Sequence, residues 1–149
     1  MIEKNKIRSD EIKQKLSDIL DAITIVRENL PADSDKFPDM GLIKDGLYKK
    51  IEFAIESVID ICNIINSDLR LGVPSTEDKL IDNLEKNKVF DIKIINLIRE
   101  MKKFRNVLVH KYGDIDDEKA YLDIKDGLND FELVIAEFEK FLTKRKNKK

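Results

Sequence analysis

Apolar residues recur at steps of three and four along most of this chain, the period of an amphipathic α-helix. Ile12, Leu16, Ile19, Ile23, Val26 and Leu30 share one face of a first helix over about 8–30, which Pro31 ends. Residues 31–45, with two prolines, a glycine and several aspartates, form the longest loop. Leu47, Ile51, Ala54, Ile55, Val58, Ile61, Cys62, Ile65 and Leu69 give a second helix, over about 46–70, a wide apolar face. Gly72-Val73-Pro74 is expected to stop it. Ser75, with Asp78 three residues on, reads as the cap of a short third helix through Leu80, Ile81 and Leu84. Asp91 reads as the cap of a fourth, whose apolar side carries Ile94, Leu97, Ile98, Met101, Phe104 and Leu108. That helix is expected to run to about Tyr112, where Gly113 suits a left-handed turn. Tyr121, Ile124, Leu128, Phe131, Ile135, Phe138 and Leu142 mark a fifth helix in near-heptad steps, mildly weakened by Gly127. Short connections after the first loop place successive helices antiparallel. The expected fold is all-α: an up-and-down bundle of four long helices plus one short helix, forming one domain over residues 1–143, with a basic tail over 144–149.

Composition agrees with this pattern. The chain has 149 residues, enough for one domain with a real core. It is 42% hydrophobic and 39% charged, the balance of amphipathic helices and not of a disordered chain. A net charge of -2 argues against coating nucleic acid through bulk charge but leaves room for a local basic cleft. The single cysteine, Cys62, lies among isoleucines and reads as a buried, inert thiol. It can make no intramolecular disulfide, which suits a reducing cytoplasm. No apolar run approaches the roughly 20 residues of a membrane span. The residues from Met1 to Lys6 lack the apolar stretch of a secretory leader.

The fourth helix carries the candidate chemistry. At about 100° per residue, Asn106 and His110 fall opposite the apolar side, one turn apart. Arg99, Lys102 and Lys103 surround them, and Arg105 sits at the border. Four cations, one amide and the only histidine thus gather on one face, a combination suited to a phosphate. Val107 and Val109 flank that face, where apolar residues call for a second subunit as cover.

These residue types fit RNA cleavage. RNA carries an internal nucleophile, the 2′-hydroxyl. Its attack needs a base, an acid for the leaving oxygen and positive charge for the crowded phosphorane. Histidine suits both proton transfers near neutral pH. Arginine grips phosphate oxygens through two parallel bonds, and asparagine can orient either partner. The scheme requires no cofactor, and no metal-ligand pattern stands out from ordinary helix surface. One histidine per chain leaves the acid and base roles short by one, so a two-fold dimer supplying two copies of His110 and Arg105 completes the site.

The run Phe104-Arg105-Asn106-Val107-Leu108-Val109-His110-Lys111-Tyr112-Gly113-Asp114-Ile115-Asp116, with its Arg-x4-His-x-Tyr core, resembles the active-site block of the HEPN superfamily and, more narrowly, of the HepT toxin family. The runs from Ile59 to Ile65 and from Leu71 to Pro74 resemble that family's second-helix signature and following turn. Asn63 stands where the family often has histidine, a position expected to serve packing or support, and Gly113 stands where it often has an aromatic residue. The resemblance implies a homodimeric, metal-independent endoribonuclease, usually the toxin of a toxin–antitoxin pair, with tRNA as a substrate by family analogy. It also implies a partner: a small nucleotidyltransferase that attaches adenylate to the tyrosine of the motif, here Tyr112, and silences the toxin. If the helix persists to Tyr112, that residue lies two turns above Arg105 on nearly the same line. A phosphate on it would then occupy the cation site.

Plainer readings stand beside these. A lone histidine near a helix end is often a surface residue favoured by the helix dipole. Arg99, Lys102 and Lys103 read equally as solvated helix charges or as RNA contacts. Asp114, Asp116 and Asp117 read as turn and cap residues, and the basic tail as a solubilising end. The alternative function is a non-catalytic helical dimer that binds a nucleotide or a nucleotidyltransferase partner.

Overall fold

The computed structural model describes residues 6–147. Met1 to Asn5, most of the stretch in which no leader was read, and Lys148 and Lys149 of the basic tail lie outside them. The fold is all-helical: α1 (Ser9–Asn29), α2 (Leu42–Asp68), α3 (Glu77–Lys86), α4 (Ile92–His110) and α5 (Asp117–Asn147), four long helices and a short one. Helix α5 runs on through Lys144 and Arg145, taking in much of the predicted tail.

The apolar positions at helical spacing form one core. Ile12, Ile19 and Ile23 of α1, Ile55, Ile61 and Ile65 of α2, and Phe131 and Phe138 of α5 are fully buried within it. Long-range ion pairs record the chain directions. Arg8 at the start of α1 meets Asp68 at the end of α2, and Lys15 meets Asp60 two turns further along each. Phe90 at the foot of α4 packs edge-on against Phe138 and Phe141 near the top of α5. These pairings make α1 antiparallel to α2 and α4 antiparallel to α5, and the contacts of Arg105 with Glu56 and of Tyr112 with Asp45 do the same for α2 and α4.

Several ends differ from the pattern-based expectation. The long first connection holds a 3-10 turn, Ser34–Asp39, that inserts Phe37 into the core. Phe37 meets Tyr48 edge-on at 5.5 Å and Tyr121 at 5.6 Å, and burying such a ring contributes roughly 1.5–3 kcal/mol. Gly41, at φ +59°, opens α2 four residues earlier than expected, in a conformation that disfavours a side chain. Arg70, not the Gly72–Pro74 run, stops α2: it takes the left-handed conformation at φ +57° while Leu71 N–H donates to Asn66 O at 3.1 Å. The cap of α3 is Thr76, whose Oγ1 accepts from Lys79 N–H, and not Ser75. Asp91 caps α4 as expected, accepting from Ile94 N–H at 3.1 Å. Asp116 accepts from Lys119 N–H and caps α5.

Candidate functional site at the end of helix α4

Helix α4 packs between α2 and α5, and α3 lies across its outer side. Its buried stripe runs Ile94, Ile95, Ile98, Met101, Arg105, Leu108. Arg105 therefore continues the core stripe and does not sit at its border. Leu97 and Phe104, expected in the core, are only half-buried and line a groove of about 480 Å³ between α4 and α5. The shift has a plain cause. Helix α3 covers the side of α4 that the helical wheel left to solvent.

Arg105 is held from three directions. Its Nε–H donates to Asn106 Oδ1 at 3.0 Å, and its terminal nitrogens donate to Glu56 of α2 and Glu77 in the first turn of α3. Burial would pull the guanidinium's pKa down, but the bonds to Glu77 and Glu56 outweigh it and hold the pKa above its ordinary value. The group is a permanent cation. It has five N–H donors, three of which are spent on these partners, so two remain uncommitted.

The other predicted cations also have carboxylate partners. Arg99 donates to Asp82 at 2.9 Å and to Glu85 at 2.7 Å, and Lys102 donates to Asp78 at 2.7 Å, all on α3. Lys103 reaches Glu100 on its own helix at 3.5 Å and stays exposed. The structure thus brings Arg105 and Asn106 together, turns Arg99 and Lys102 toward α3, and sends Lys103 to the α5 side. His110, the last residue of α4, is exposed and has no hydrogen-bond partner among the described residues.

Helix α4 stops at His110, two residues short of expectation. Lys111 takes a non-helical conformation, and Tyr112–Asp114 make a 3-10 turn in which Gly113 does not adopt a left-handed φ. Tyr112 consequently leaves the line of Arg105, and the expected two-turn stacking fails. Its ring packs edge-on against Tyr48 at 6.1 Å, and its hydroxyl donates to Asp45 in the first turn of α2. That bond, with burial second, raises the phenol's pKa to about 12. The neighbouring Tyr48 hydroxyl donates to Asp117 at 2.5 Å, and Lys44 meets the same carboxylate at 2.8 Å. Burial followed by the bond to Asp117 pushes the Tyr48 phenol far above its ordinary value.

Asp45, Lys49, Phe53 and Glu56 fall on one stripe of α2, at steps of three and four. Between this stripe and the end of α4 lies a cleft of about 390 Å³ lined by Asp45, Tyr48, Lys49, Glu52, Val109 and Tyr112, among others. Exposed apolar side chains stand on both sides of the helix end: Val109, 45% exposed, lines this cleft, and Val107, 36% exposed, lines the groove toward α5, with Phe53 exposed on α2. Sequence reasoning missed Asp45, Glu56 and Glu77. They stand 28 to 67 residues from their partners, and only the helix packing joins them. Asn63 is exposed on α2, so the packing role expected of it is not found. Cys62 is fully buried as expected, and burial raises its thiol pKa to about 12. No group of three or more His, Cys, Asp or Glu is arranged for a metal ion, and no helix is long and apolar enough to cross a membrane, among the described residues.

Comparison with known proteins agrees with this architecture. The family model described as ribonuclease HepT-like matches residues 19–138. A curated protein of Shewanella oneidensis named mRNA nuclease HepT is 24% identical over 127 residues, spanning 85% of this chain and 95% of the relative. Among solved structures, the tri-AMPylated HEPN toxin of Shewanella oneidensis in complex with MNT antitoxin superposes with a TM-score of 0.79 at 24% identity, covering 88% of this chain and 98% of the other. The cytosolic protein YutE of Bacillus subtilis, of unknown function, superposes with a TM-score of 0.77 at 17% identity, covering 93% of each chain. These two likenesses are of fold.

Proposed function

Since the chain belongs to the ribonuclease HepT-like family, we propose that it is a metal-independent endoribonuclease toxin of a toxin–antitoxin pair, acting in the cytoplasm as a homodimer. One observation carries the assignment. An exposed histidine with an unpartnered side chain ends α4, five residues beyond a buried arginine that is held in place by Asn106, Glu56 and Glu77. A free imidazole and a held cation are groups that 2′-hydroxyl attack on a phosphodiester can use.

In this scheme the 2′-oxygen attacks phosphorus, and one His110 takes its proton. A second His110, from the two-fold related subunit, protonates the leaving 5′-oxygen. The two free donors of Arg105 stabilise the phosphorane, and Asn106 fixes the plane of the guanidinium. Val107, Val109 and Phe53 supply an apolar rim for the dimer contact. Lys103 remains open to an RNA backbone, whereas Arg99 and Lys102 reach one only by leaving α3. The substrate class is RNA. The name of the Shewanella relative points to mRNA, and the tRNA expected from family analogy is the competing target.

Silencing is assigned to a small nucleotidyltransferase that adenylates Tyr112, in keeping with the AMPylated, antitoxin-bound toxin among the structural neighbours. Tyr112 is half-exposed at the mouth of the cleft and accessible to such an enzyme.

A second reading rests on the charge balance. One guanidinium faces two carboxylates, and Arg99 and Lys102 are neutralised as well. That balance suits a non-catalytic dimer that docks a nucleotidyltransferase. Incubating the purified chain with total RNA in chelator separates the two. The nuclease assignment expects cleavage ending in 2′,3′-cyclic phosphate that is abolished in His110→Ala. RNA left intact by the wild type, with the nucleotidyltransferase still bound, supports the docking dimer.

A further inference from the structure

The Tyr112 hydroxyl does not point into solvent. It donates to a carboxylate oxygen of Asp45, which stands in the first turn of α2 with its other oxygen free of any described partner. The phenol ring is braced from behind by the edge-on contact with Tyr48, whose own hydroxyl is fastened to Asp117. Asp117 is in turn held by Lys44. The ring and hydroxyl are thus both held from α2, beside the cleft that Tyr112 shares with Lys49 and Val109. Unlike the buried Tyr48, Tyr112 is 49% exposed, so its carboxylate partner sits where a second molecule can reach it.

We propose that Asp45 is the catalytic base of the modification assigned to Tyr112, accepting the phenol proton as the hydroxyl attacks a nucleoside triphosphate. The inference rests on the adenylation of Tyr112 given under the proposed function. In the step, a bond forms between Tyr112 Oη and the α-phosphorus. The bond from that phosphorus to the bridging oxygen breaks, and pyrophosphate leaves with the electron pair. The phenol proton passes to the Asp45 carboxylate and from there to water. A carboxylate is a weak base for a resting phenol. It becomes adequate as the new oxygen–phosphorus bond acidifies the phenol, the logic by which a kinase aspartate accepts a substrate hydroxyl proton. The hydrogen bond already directs the phenol proton at Asp45, so the transfer needs no prior rearrangement of the pair.

The product has a further property. Once the phosphodiester forms, the donor proton is lost and two anions face each other. The modified side chain is then driven off Asp45, so the contact belongs to the unmodified state alone.

The test uses the full chain with a purified minimal nucleotidyltransferase of the MNT type, ATP and magnesium, following adenylate on Tyr112 by intact-mass spectrometry. Asp45→Asn keeps the size and a hydrogen-bonding atom but cannot take the proton. The expected result is a fall of about 100-fold in kcat with KM for the toxin changed less than about threefold, in line with loss of one general base. Asp45→Glu recovers part of the rate. Equal kcat for wild type and Asp45→Asn overturns the inference while leaving adenylation intact. A rise in KM alone assigns Asp45 to docking and also overturns it. No adenylate on wild-type Tyr112 overturns the adenylation and the base together.

Discussion

Arg105→Ala and His110→Ala are the two substitutions that test the proposed nuclease, and the structure separates their effects on folding. The Arg105 side chain is 10% exposed and bonds to two carboxylates from different helices, Glu56 at 48% and Glu77 at 36% exposure. Truncation to alanine removes two buried methylenes, at about 0.8 kcal/mol each, along with the guanidinium. The ion pairs add roughly 0.5 kcal/mol each, because their acidic partners stay well hydrated. The sum is about 2–3 kcal/mol. For a domain of this size that is a fall in Tm of roughly 4–12 °C. His110 is exposed and unpartnered, so His110→Ala should cost less than about 0.5 kcal/mol. Differential scanning calorimetry on wild type and both variants measures the difference. Equal Tm values for Arg105→Ala and wild type would refute the three-way bracing. A drop in His110→Ala as large as that of Arg105→Ala would refute the exposed histidine. The contrast also matters for activity: loss of cleavage in Arg105→Ala mixes fold and chemistry, whereas loss in His110→Ala reports chemistry.

Two other outcomes follow from the titrating groups. Tyr112 ionises near about 12 in the fold, above the ordinary phenol value near 10, so the native state holds the proton longer than the unfolded chain. Its contribution to stability is whole below about pH 10 and is lost as pH rises toward 12. Asp45→Asn should move the phenol's ultraviolet titration back toward 10 and flatten that segment of the stability curve; an unmoved titration would remove Asp45 as the cause. Cys62 is fully buried with its thiol raised to about 12, so a disulfide reagent at pH 8 should label no native chain and one thiol per chain in denaturant. Rapid native labelling would show that α2 opens locally.

The fold was largely legible because burial repeats at helical steps. Ile12 to Val26, Leu47 to Ile65 and Tyr121 to Phe138 lie in the core as their spacing required. What was not legible follows from packing between distant segments. Phe37, in a stretch with no period of its own, is buried because Tyr48 and Tyr121 make a socket for it. The helical wheel of α4 left Arg99 and Lys102 outward and Arg105 at the border, since a wheel shows one helix and α3 was not on it. The acidic residues Glu77, Asp78, Asp82 and Glu85 do fall on the side of α3 that faces α4, but only contact gives them a meaning. The site motif itself was readable, because Arg105, Asn106 and His110 share one helix. Its supports, Asp45 and Glu56, were not, because they belong to α2 and no local pattern distinguishes them from solvated charge.

The claim at the centre is that one chain holds half of a ribonuclease site. Cleavage of a labelled RNA in chelator, measured across protein concentrations spanning dimer dissociation and paired with sedimentation velocity, addresses it most directly. Cleavage per chain should rise in proportion to the dimer fraction, and Val109→Asp, which charges the apolar rim, should lower both together. A monomer that cleaves RNA at the full rate per chain would contradict the account.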